Sequence, residues 1–246
     1  MTKIRLLSYN LRSMRDDKTA LIRTIRALRP DIACFQEIPR FFGWREKVRA
    51  LARRCDLRVA AHRRPAGLAV FTGPGVRVLH REYRLLTRVP TLHRRGVALA
   101  VVEVGEARLV AASTHLDLHD TPRLAHAGQV LSTLGRVRAA YGAPAVLAGD
   151  INEQPGGPAW RLLARPFPDA HAAAPEGGAH TYSAISPRRR IDGVFADPRI
   201  RVIGCGVPLE PASPGDYALA TDHRPVLAEL EIGKSGVTRL TRTEVS

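Results

Sequence analysis

Short apolar runs recur along the chain, and most of them end in polar side chains. An apolar strand is predicted over residues 4–9 and ends at Asn10, and apolar positions at helical spacing predict a helix over 17–28. A second apolar strand over 31–35 ends in front of Glu37. This strand, helix, strand order is typical of α/β proteins, with polar groups at the same end of both strands.

The same periodicities predict the remaining elements. Further helices are predicted over residues 44–55, 122–142 and 160–163, and further strands over 57–61, 67–71, 76–86, 96–104, 107–114, 144–148, 190–196, 201–205 and 226–232. Residues 165–181, rich in Pro, Ala, His and Gly, predict a surface loop. We expect residues 1–232 to form one domain and the polar residues 233–246 to form a flexible tail.

Polar side chains at the strand ends predict an active site centred on Asp150, which follows an apolar strand that breaks at a glycine. Each such side chain alone has an ordinary structural explanation, such as a turn residue or a satisfied core histidine. Together, carboxylates and amides suit Mg²⁺ or Mn²⁺, and histidines handle protons or contact phosphate. The full set is Asn10, Glu37, His115, Asp150, Asn152, Asp192, Asp222 and His223.

Composition adds a strong positive charge to a chain with enough apolar residues for a proper core. The 246 residues are 45% hydrophobic, and the net charge of +15 with a pI near 11.0 favours a polyanionic partner, with nucleic acid the first candidate. Of the 38 basic residues, however, only four are Lys and 34 are Arg. A GC-rich genome would produce the same skew, so the charge alone leaves both explanations open.

Cysteine usage and the absence of long apolar runs predict a cytoplasmic protein without a membrane span. The three cysteines are an odd number at no metal-ligand spacing, so no disulfide framework is implied. The sequence shows no charged-then-apolar leader and no apolar run of about 18 residues. Oligomeric state is left open by the sequence.

Six sequence blocks resemble, in order, the signature of the deoxyribonuclease-I-like endonuclease/exonuclease/phosphatase superfamily. They are Tyr9-Asn10, Gln36-Glu37, Thr114-His115, Gly149-Asp150-Ile151-Asn152, Arg190-Ile191-Asp192 and Thr221-Asp222-His223-Arg224-Pro225. The blocks span nearly the whole chain from residue 4 to 232. The resemblance implies an α/β fold, a four-layer α/β/β/α sandwich of two packed mixed β-sheets flanked by helices.

The resemblance also implies a metal site. Glu37 would be the principal Mg²⁺ ligand, with Mn²⁺ as a possible substitute, and Asn10 and Asp222 would help directly or through water. Some nucleases of this superfamily carry an acid two residues after the first-strand Asn, and here that position is Arg12. The sequence therefore leaves one ligand of the metal shell open.

The catalytic roles follow from the same resemblance. Asp150 would orient or deprotonate the attacking water, and Asn152 would hold the phosphoryl oxygens. His223, oriented by Asp192, would contact the scissile phosphate, and His115 would be a second phosphate-contacting or acid group. The expected reaction is hydrolysis of a phosphoester by metal-assisted, in-line attack of water.

A nuclease is the favoured activity, because arginine clusters fall in or next to predicted loops. Arg63-Arg64, Arg94-Arg95 and Arg188-Arg189-Arg190 could bind flanking phosphates, and Arg190 is predicted to contact substrate because it lies just before Asp192. The fold also serves small-molecule and lipid head-group phosphoesters, which stay as an alternative. Two further alternatives are a zinc hydrolase built on His115-x-Asp117-x-His119 and a non-catalytic nucleic-acid-binding relative.

Overall fold

Two β-sheets form the centre of the computed structural model, which describes residues 1–209, 213 and 215–234. The strands are β1 (Thr2–Asn10), β2 (Ile32–Gln36), β3 (Arg58–Arg63), β4 (Leu68–Thr72), β5 (Val76–Leu85), β6 (Gly96–Val104), β7 (Ala107–His115), β8 (Ala145–Asp150), β9 (Asp192–Ala196), β10 (Ile200–Gly206) and β11 (Val226–Ile232). The first sheet has the order β10-β11-β1-β2-β4-β3 and the second β5-β6-β7-β8-β9. Both are mixed, since β1/β2 and β7/β8 are parallel and the other pairs antiparallel.

Helices cover the outer face of each sheet. They are α1 (Lys18–Leu28), α2 (Trp44–Arg54), α3 (Asp120–Tyr141), α4 (Pro158–Ala164), α5 (Ala170–Ala173) and α6 (Asp216–Ala220). One apolar cluster fills the space between the sheets, a second lies between the first sheet and α1 and α2, and a third lies between the second sheet and α3 and α4. These layers confirm the predicted four-layer α/β/β/α sandwich.

Burial on both faces explains why the central strands read as continuous apolar runs rather than as alternating patterns. All five residues of β4 are buried, and so are all six of β8. A strand between two apolar layers needs hydrophobic side chains at odd and even positions alike. In both strands the polar residue is the last one, Thr72 in β4 and Asp150 in β8.

Strand register brings the polar ends together. In the first sheet, Asn10 pairs with Gln36 across the parallel strands β1 and β2, one residue before Glu37. In the second sheet, Asp150 pairs with His115 across β7/β8 and with Asp192 across β8/β9. Three of the predicted site residues therefore form one row across adjacent strands, as pairs in a sheet ladder must.

Some predicted boundaries differ from the structure. The predicted loop over residues 165–181 contains α5, whose first turn is capped by the Asp169 side chain, and α6 was not predicted. Both helices are too short to show helical periodicity. The predicted strand over 190–196 begins only at Asp192, and β8 continues through Asp150.

The predicted tail over residues 233–246 lies outside the described residues except for Gly233 and Lys234. None of the helices in the described part of the chain combines the length and apolar character needed to traverse a lipid bilayer.

Candidate active site

The strand ends open into a cavity of about 530 Å³ at one edge of the two sheets. Eight of the nine residues predicted for the site lie in or directly behind this cavity. Six of them line it, namely Glu37, His115, Asp150, Asn152, Asp222 and His223. Asn10 and Asp192 are buried behind these six. Asn10 is hydrogen-bonded to Glu37 and Asp150, and Asp192 to His223. Residues that are far apart in the sequence therefore lie together at one site.

Asp150 occupies its position because β7 and β8 approach unusually closely beside it. A Cβ atom at Gly149 would lie 2.1 Å from the carbonyl oxygen of Thr114, so only glycine fits there. The Asp150 Oδ1 atom accepts a hydrogen bond from the backbone N–H of Asn152 at 3.0 Å, and Asn152 adopts φ +55°, which asparagine tolerates better than most residues. This turn fixes the carboxylate of Asp150, which is only 2% exposed.

Asn10 links the two sheets across the floor of the cavity. Its Nδ2 donates to Glu37 Oε1 at 3.2 Å and to Asp150 Oδ2 at 3.0 Å, and its Oδ1 accepts from the backbone N–H of Arg12 at 3.0 Å. The Asn10 amide therefore holds the carboxylates of Glu37 and Asp150 near each other. Glu37 itself has φ +47°, a conformation that non-glycine residues adopt at some energetic cost and mainly at functional sites.

His223 forms a buried pair with Asp192. Its Nδ1 lies 2.8 Å from Asp192 Oδ2, and its Nε2 lies 3.7 Å from Asp150 Oδ2. Burial alone would lower the pKa of His223, but the charges of Asp192 and Asp150 and the hydrogen bond from the ring raise that pKa to about 10. His223 is consequently a cation at neutral pH, and the charge faces Asp150.

Asp150 has a carboxyl group poised to exchange a proton near neutral pH. Burial, reinforced by the nearby charge of Asp192, raises the pKa of Asp150 to about 7, while His223 and the hydrogen bonds from Asn10 and Asn152 oppose that rise. A base with a pKa close to the working pH combines availability with proton affinity. Asp150 therefore has the properties of a general base.

His115 is a neutral imidazole. Burial, followed by the positive charges of Arg95 and His223, lowers the pKa of His115 well below its usual value. Its Nε2 accepts a hydrogen bond from Nδ2 of Asn152 at 3.0 Å and lies 3.4 Å from Asp150 Oδ2. The second amide hydrogen of Asn152 goes to the carbonyl of Leu116 at 3.1 Å. Both amide hydrogens of Asn152 are thus used to orient His115 and its loop.

Arg95 and Tyr182 also line the cavity, and they were not among the predicted site residues. Arg95 is 8% exposed, with Nε 3.5 Å from the carboxylate of Asp117, and burial lowers the pKa of its guanidinium. The ring centroid of Tyr182 lies 5.0 Å from that of His223. The Arg94-Arg95 pair gave a sequence signal for Arg95, but Tyr182 stands in a loop whose path the sequence does not reveal.

Arg190 is the one predicted site residue that the structure places away from the cavity. Its guanidinium donates to both carboxylate oxygens of Asp169, at 2.9 and 2.6 Å, and lies 4.9 Å from the ring centroid of Trp160. The adjacent Arg189 lines the cavity instead, with its guanidinium 4.8 Å from the Tyr182 ring. Arg190 thus connects α5 to the end of the second sheet.

The structure does not support the zinc alternative, because His115, Asp117 and His119 do not form a cluster of metal ligands. His119 is exposed at the start of α3, and its backbone N–H donates to Asp117 Oδ1 at 3.1 Å. Asp117 in turn is paired with Arg95. Among the residues that the structure describes, the one group of acidic and histidine ligands with all donor atoms within 4.8 Å is Asp150, Asp192 and His223.

The carboxylates that face the cavity fit a hard divalent cation better than this buried triad does. Within the triad, protonated His223 already supplies the positive charge between the two aspartates, and a protonated imidazole cannot coordinate a metal. The side chain of Glu37 is 36% exposed to the cavity. Asp222 also faces it, although Arg12 Nε lies 3.4 Å from the Asp222 carboxylate. Glu37 and Asp222 offer the oxygen ligands that Mg²⁺ and Mn²⁺ prefer.

Comparison with known proteins agrees with this geometry. The model of the Endonuclease/Exonuclease/phosphatase family matches residues 7–223. The chain belongs to this family. As a member of the Endonuclease/Exonuclease/phosphatase family, it is a metal-dependent hydrolase that acts on phosphoester bonds. No curated protein sequence matches the chain.

Solved structures with the same fold share little sequence with it. A family member from Bacteroides vulgatus is 20% identical with a TM-score of 0.77, covering 95% of this chain and 100% of that one. A mannosyl-6-phosphatase from Bacteroides thetaiotaomicron is 17% identical with a TM-score of 0.78, covering 93% and 100%. The human nocturnin catalytic domain, solved with a sulfate anion, is 16% identical with a TM-score of 0.75, covering 94% and 95%. At these identities the likeness establishes the fold.

Proposed function

We propose that the protein is a Mg²⁺-dependent phosphodiesterase that hydrolyses nucleic acid. The observation that carries the proposal is the cluster at the cavity floor, where Asp150 Oδ2 lies 3.4 Å from His115 Nε2, 3.7 Å from His223 Nε2 and 3.0 Å from the amide nitrogen of Asn10. Asn10 also donates to Glu37 Oε1 at 3.2 Å, so the proposed general base Asp150, the proposed cation His223 and the proposed metal ligand Glu37 meet in one cavity. Hydrolysis by an attacking water needs these three groups.

The residues divide the reaction between them. Asp150 takes the proton of the attacking water, and Asn152 holds the loop that fixes Asp150 and His115. His223, kept cationic and oriented by Asp192, neutralises charge on the phosphoryl oxygens as it develops. Arg95, close to Asp150 and ion-paired with Asp117, adds a second fixed cation at the wall.

Glu37 is the principal metal ligand in this proposal, with Asp222 in support. When bound, Mg²⁺, or Mn²⁺ in its place, polarises the phosphoryl group and neutralises charge on the leaving oxygen. Asn10 acts as a positioning residue, because both of its amide hydrogens are donated, to Glu37 and Asp150. Its Oδ1 accepts one hydrogen bond from the Arg12 backbone and keeps a second lone pair, so the predicted support of the metal by Asn10 stays part of the proposal. The predicted contact of His115 with the phosphoryl oxygens is part of the proposal. Asn152 could make its predicted contact only by giving up one of its two hydrogen bonds, since both amide hydrogens are already donated, to His115 and to the Leu116 carbonyl.

Charge around the cavity supports a polyanionic substrate. Arg15, Arg40, Arg95 and Arg189 line it, beside a net charge of +15 for the whole chain. Guanidinium groups at this density bind several phosphates at once, which a nucleic-acid strand offers and a single phosphomonoester does not.

Purified protein assayed against a panel of phosphoesters with Mg²⁺ and Mn²⁺ tests the proposal. We expect hydrolysis of bis(p-nitrophenyl) phosphate and of oligonucleotides, and its loss in Asp150→Ala. Turnover of p-nitrophenyl phosphate or sugar phosphates without turnover of diesters would reassign the protein as a phosphomonoesterase. Turnover of all substrates by Asp150→Ala at the wild-type rate would overturn the mechanism.

A further inference from the structure

A second cavity of about 510 Å³ opens directly beside the active-site cavity. We call it the arginine cleft, and its walls include Arg15, Arg40, Phe41, Arg64, His93 and Arg94. Arg15, Arg40 and His93 line both cavities, so the two form one continuous groove. A ligand bound at the active site can therefore extend into the cleft.

Both ends of the groove carry arginines, but only the active-site end also carries carboxylates. Three carboxylates line the active-site cavity, those of Glu37, Asp150 and Asp222. Among the described residues, no carboxylate lines the arginine cleft, whereas four arginines do, Arg15, Arg40, Arg64 and Arg94. The cleft therefore attracts an anionic group that does not itself undergo the reaction. In a nucleic-acid strand, the phosphates flanking the scissile one meet this description.

The walls of the cleft are held by hydrogen bonds and close packing. Arg64 Nε donates to the carbonyl of Arg40 at 2.9 Å, which joins the β2–α2 loop to the β3–β4 turn. Gly67, at φ +65°, leaves room for the Arg40 side chain, since a Cβ atom there would lie 3.0 Å from Arg40 Cδ. Arg40 Nε is buried and, within the described part of the chain, donates to no hydrogen-bond acceptor. Arg40 lines both cavities, so its guanidinium places a positive charge at their junction.

Phe41 lines the cleft, and Phe42 is its neighbour in the sequence. Phe41 is 66% exposed and Phe42 is 96% exposed. The guanidinium carbon of Arg40 lies 5.9 Å from the Phe41 ring centroid. Exposed aromatic rings beside a basic groove are how proteins bind single-stranded nucleic acids, because every base has a face that can stack on a ring. A duplex offers no unpaired base for such stacking.

We propose that the arginine cleft binds the nucleotides next to the scissile phosphate of a single-stranded nucleic acid. Their phosphates contact Arg40, Arg64 and Arg94, and a base stacks on Phe41 or Phe42. The proposal rests on the proposed nuclease function and narrows its substrate to unpaired strands.

Binding measured without catalysis tests this proposal. Fluorescence anisotropy with a labelled single strand of about 12 nucleotides, in EDTA, gives Kd for the wild type and two double variants. We expect Phe41→Ala with Phe42→Ala to raise Kd roughly 5- to 150-fold, the equivalent of one lost stacking interaction. Arg64→Ala with Arg94→Ala should reduce the slope of log Kd against log salt by about 1.4, because each phosphate contact on a single strand contributes about 0.7.

Control variants remove two large apolar side chains, or two arginines, elsewhere on the surface. Ile203→Ala with Leu219→Ala removes two exposed apolar side chains, and Arg53→Ala with Arg81→Ala removes two exposed charges. Both controls should bind the strand as the wild type does. The proposal is overturned if the cleft variants bind the strand like their controls, or if a duplex of the same length binds as tightly and loses affinity equally in the phenylalanine variant.

Two parallel measurements separate other outcomes. Hydrolysis of bis(p-nitrophenyl) phosphate by the wild type with Mg²⁺ tests the proposed function. If the wild type does not hydrolyse this diester, the proposed function fails, and the binding measurements still show whether the cleft binds single strands. Vesicles containing phosphatidylserine test a lipid surface as the occupant. Loss of vesicle binding in the phenylalanine variant, with unchanged oligonucleotide binding, would overturn the assignment to nucleic acid.

Discussion

Replacing Gly149 by Ala should disable the site, because it forces β7 and β8 apart beside Asp150. The added Cβ atom would lie 2.1 Å from the Thr114 carbonyl oxygen. The oxygen is a backbone atom and the Cβ atom is bonded to the backbone, so neither can move away unless its strand moves. Carbon and oxygen atoms in contact stay about 3.3 Å apart, so the strands must separate locally by roughly 1.2 Å. The variant should lose about 1–3 kcal/mol of stability through overpacking. Displacement of Asp150 from His115, now 3.4 Å away, should lower kcat by about 100-fold.

Thermal unfolding and hydrolysis of bis(p-nitrophenyl) phosphate with Mg²⁺ measure the two effects of Gly149→Ala. Its Tm should fall by roughly 2–12 °C. Gly128→Ala in α3 is the matched control, since its new Cβ atom meets no atom within 4 Å. That change should raise stability by about 0.5–1 kcal/mol and leave activity unchanged. A folded Gly149→Ala enzyme with wild-type kcat would refute the argument that this close approach positions the catalytic carboxylate.

Three further substitutions test individual residues. Asp192→Asn should lower kcat by roughly 10²- to 10⁴-fold, and NMR titration should show a lower pKa for His223, because the ring loses its nearest negative charge; an unchanged pKa would contradict this. Arg190→Ala should lower Tm with little change in KM, since its guanidinium is held by Asp169; a raised KM at unchanged Tm would instead support the sequence-based prediction that Arg190 contacts substrate. Glu37→Gln should raise the Mg²⁺ concentration for half-maximal activity by about tenfold or more; an unchanged requirement would place the metal elsewhere.

The fold could be predicted from the sequence because its strands are buried on both faces and interrupted by recognisable turns. Continuous apolar runs such as those of β4 and β8 leave few other interpretations. The short helices α5 and α6 could not be found this way. With four and five residues they are shorter than two helical turns, so they show no apolar periodicity. The start of α5 is instead set by the Asp169 side chain, which caps its first turn.

The site was predictable wherever a polar residue ends a buried strand, and less so where loops supply it. Asp150 is the last residue of the buried strand β8, and His223 belongs to the sequence block just before β11. The structure places His223 Nε2 3.7 Å from Asp150 Oδ2. In the run of three arginines before β9, neighbouring side chains point in different directions. Arg190 meets Asp169, which stands 21 residues earlier in the chain, and Arg189 faces the cavity. No local pattern reveals such a long-range partner, and the same holds for Tyr182 beside His223.

The most direct test is anomalous diffraction from crystals grown with Mn²⁺. We expect an anomalous peak in the active-site cavity, coordinated by the Glu37 carboxylate and close to Asp150, with His223 and Asp192 still paired to each other. A peak coordinated by the His223 ring, or no peak at a Mn²⁺ concentration that supports hydrolysis, would contradict the account.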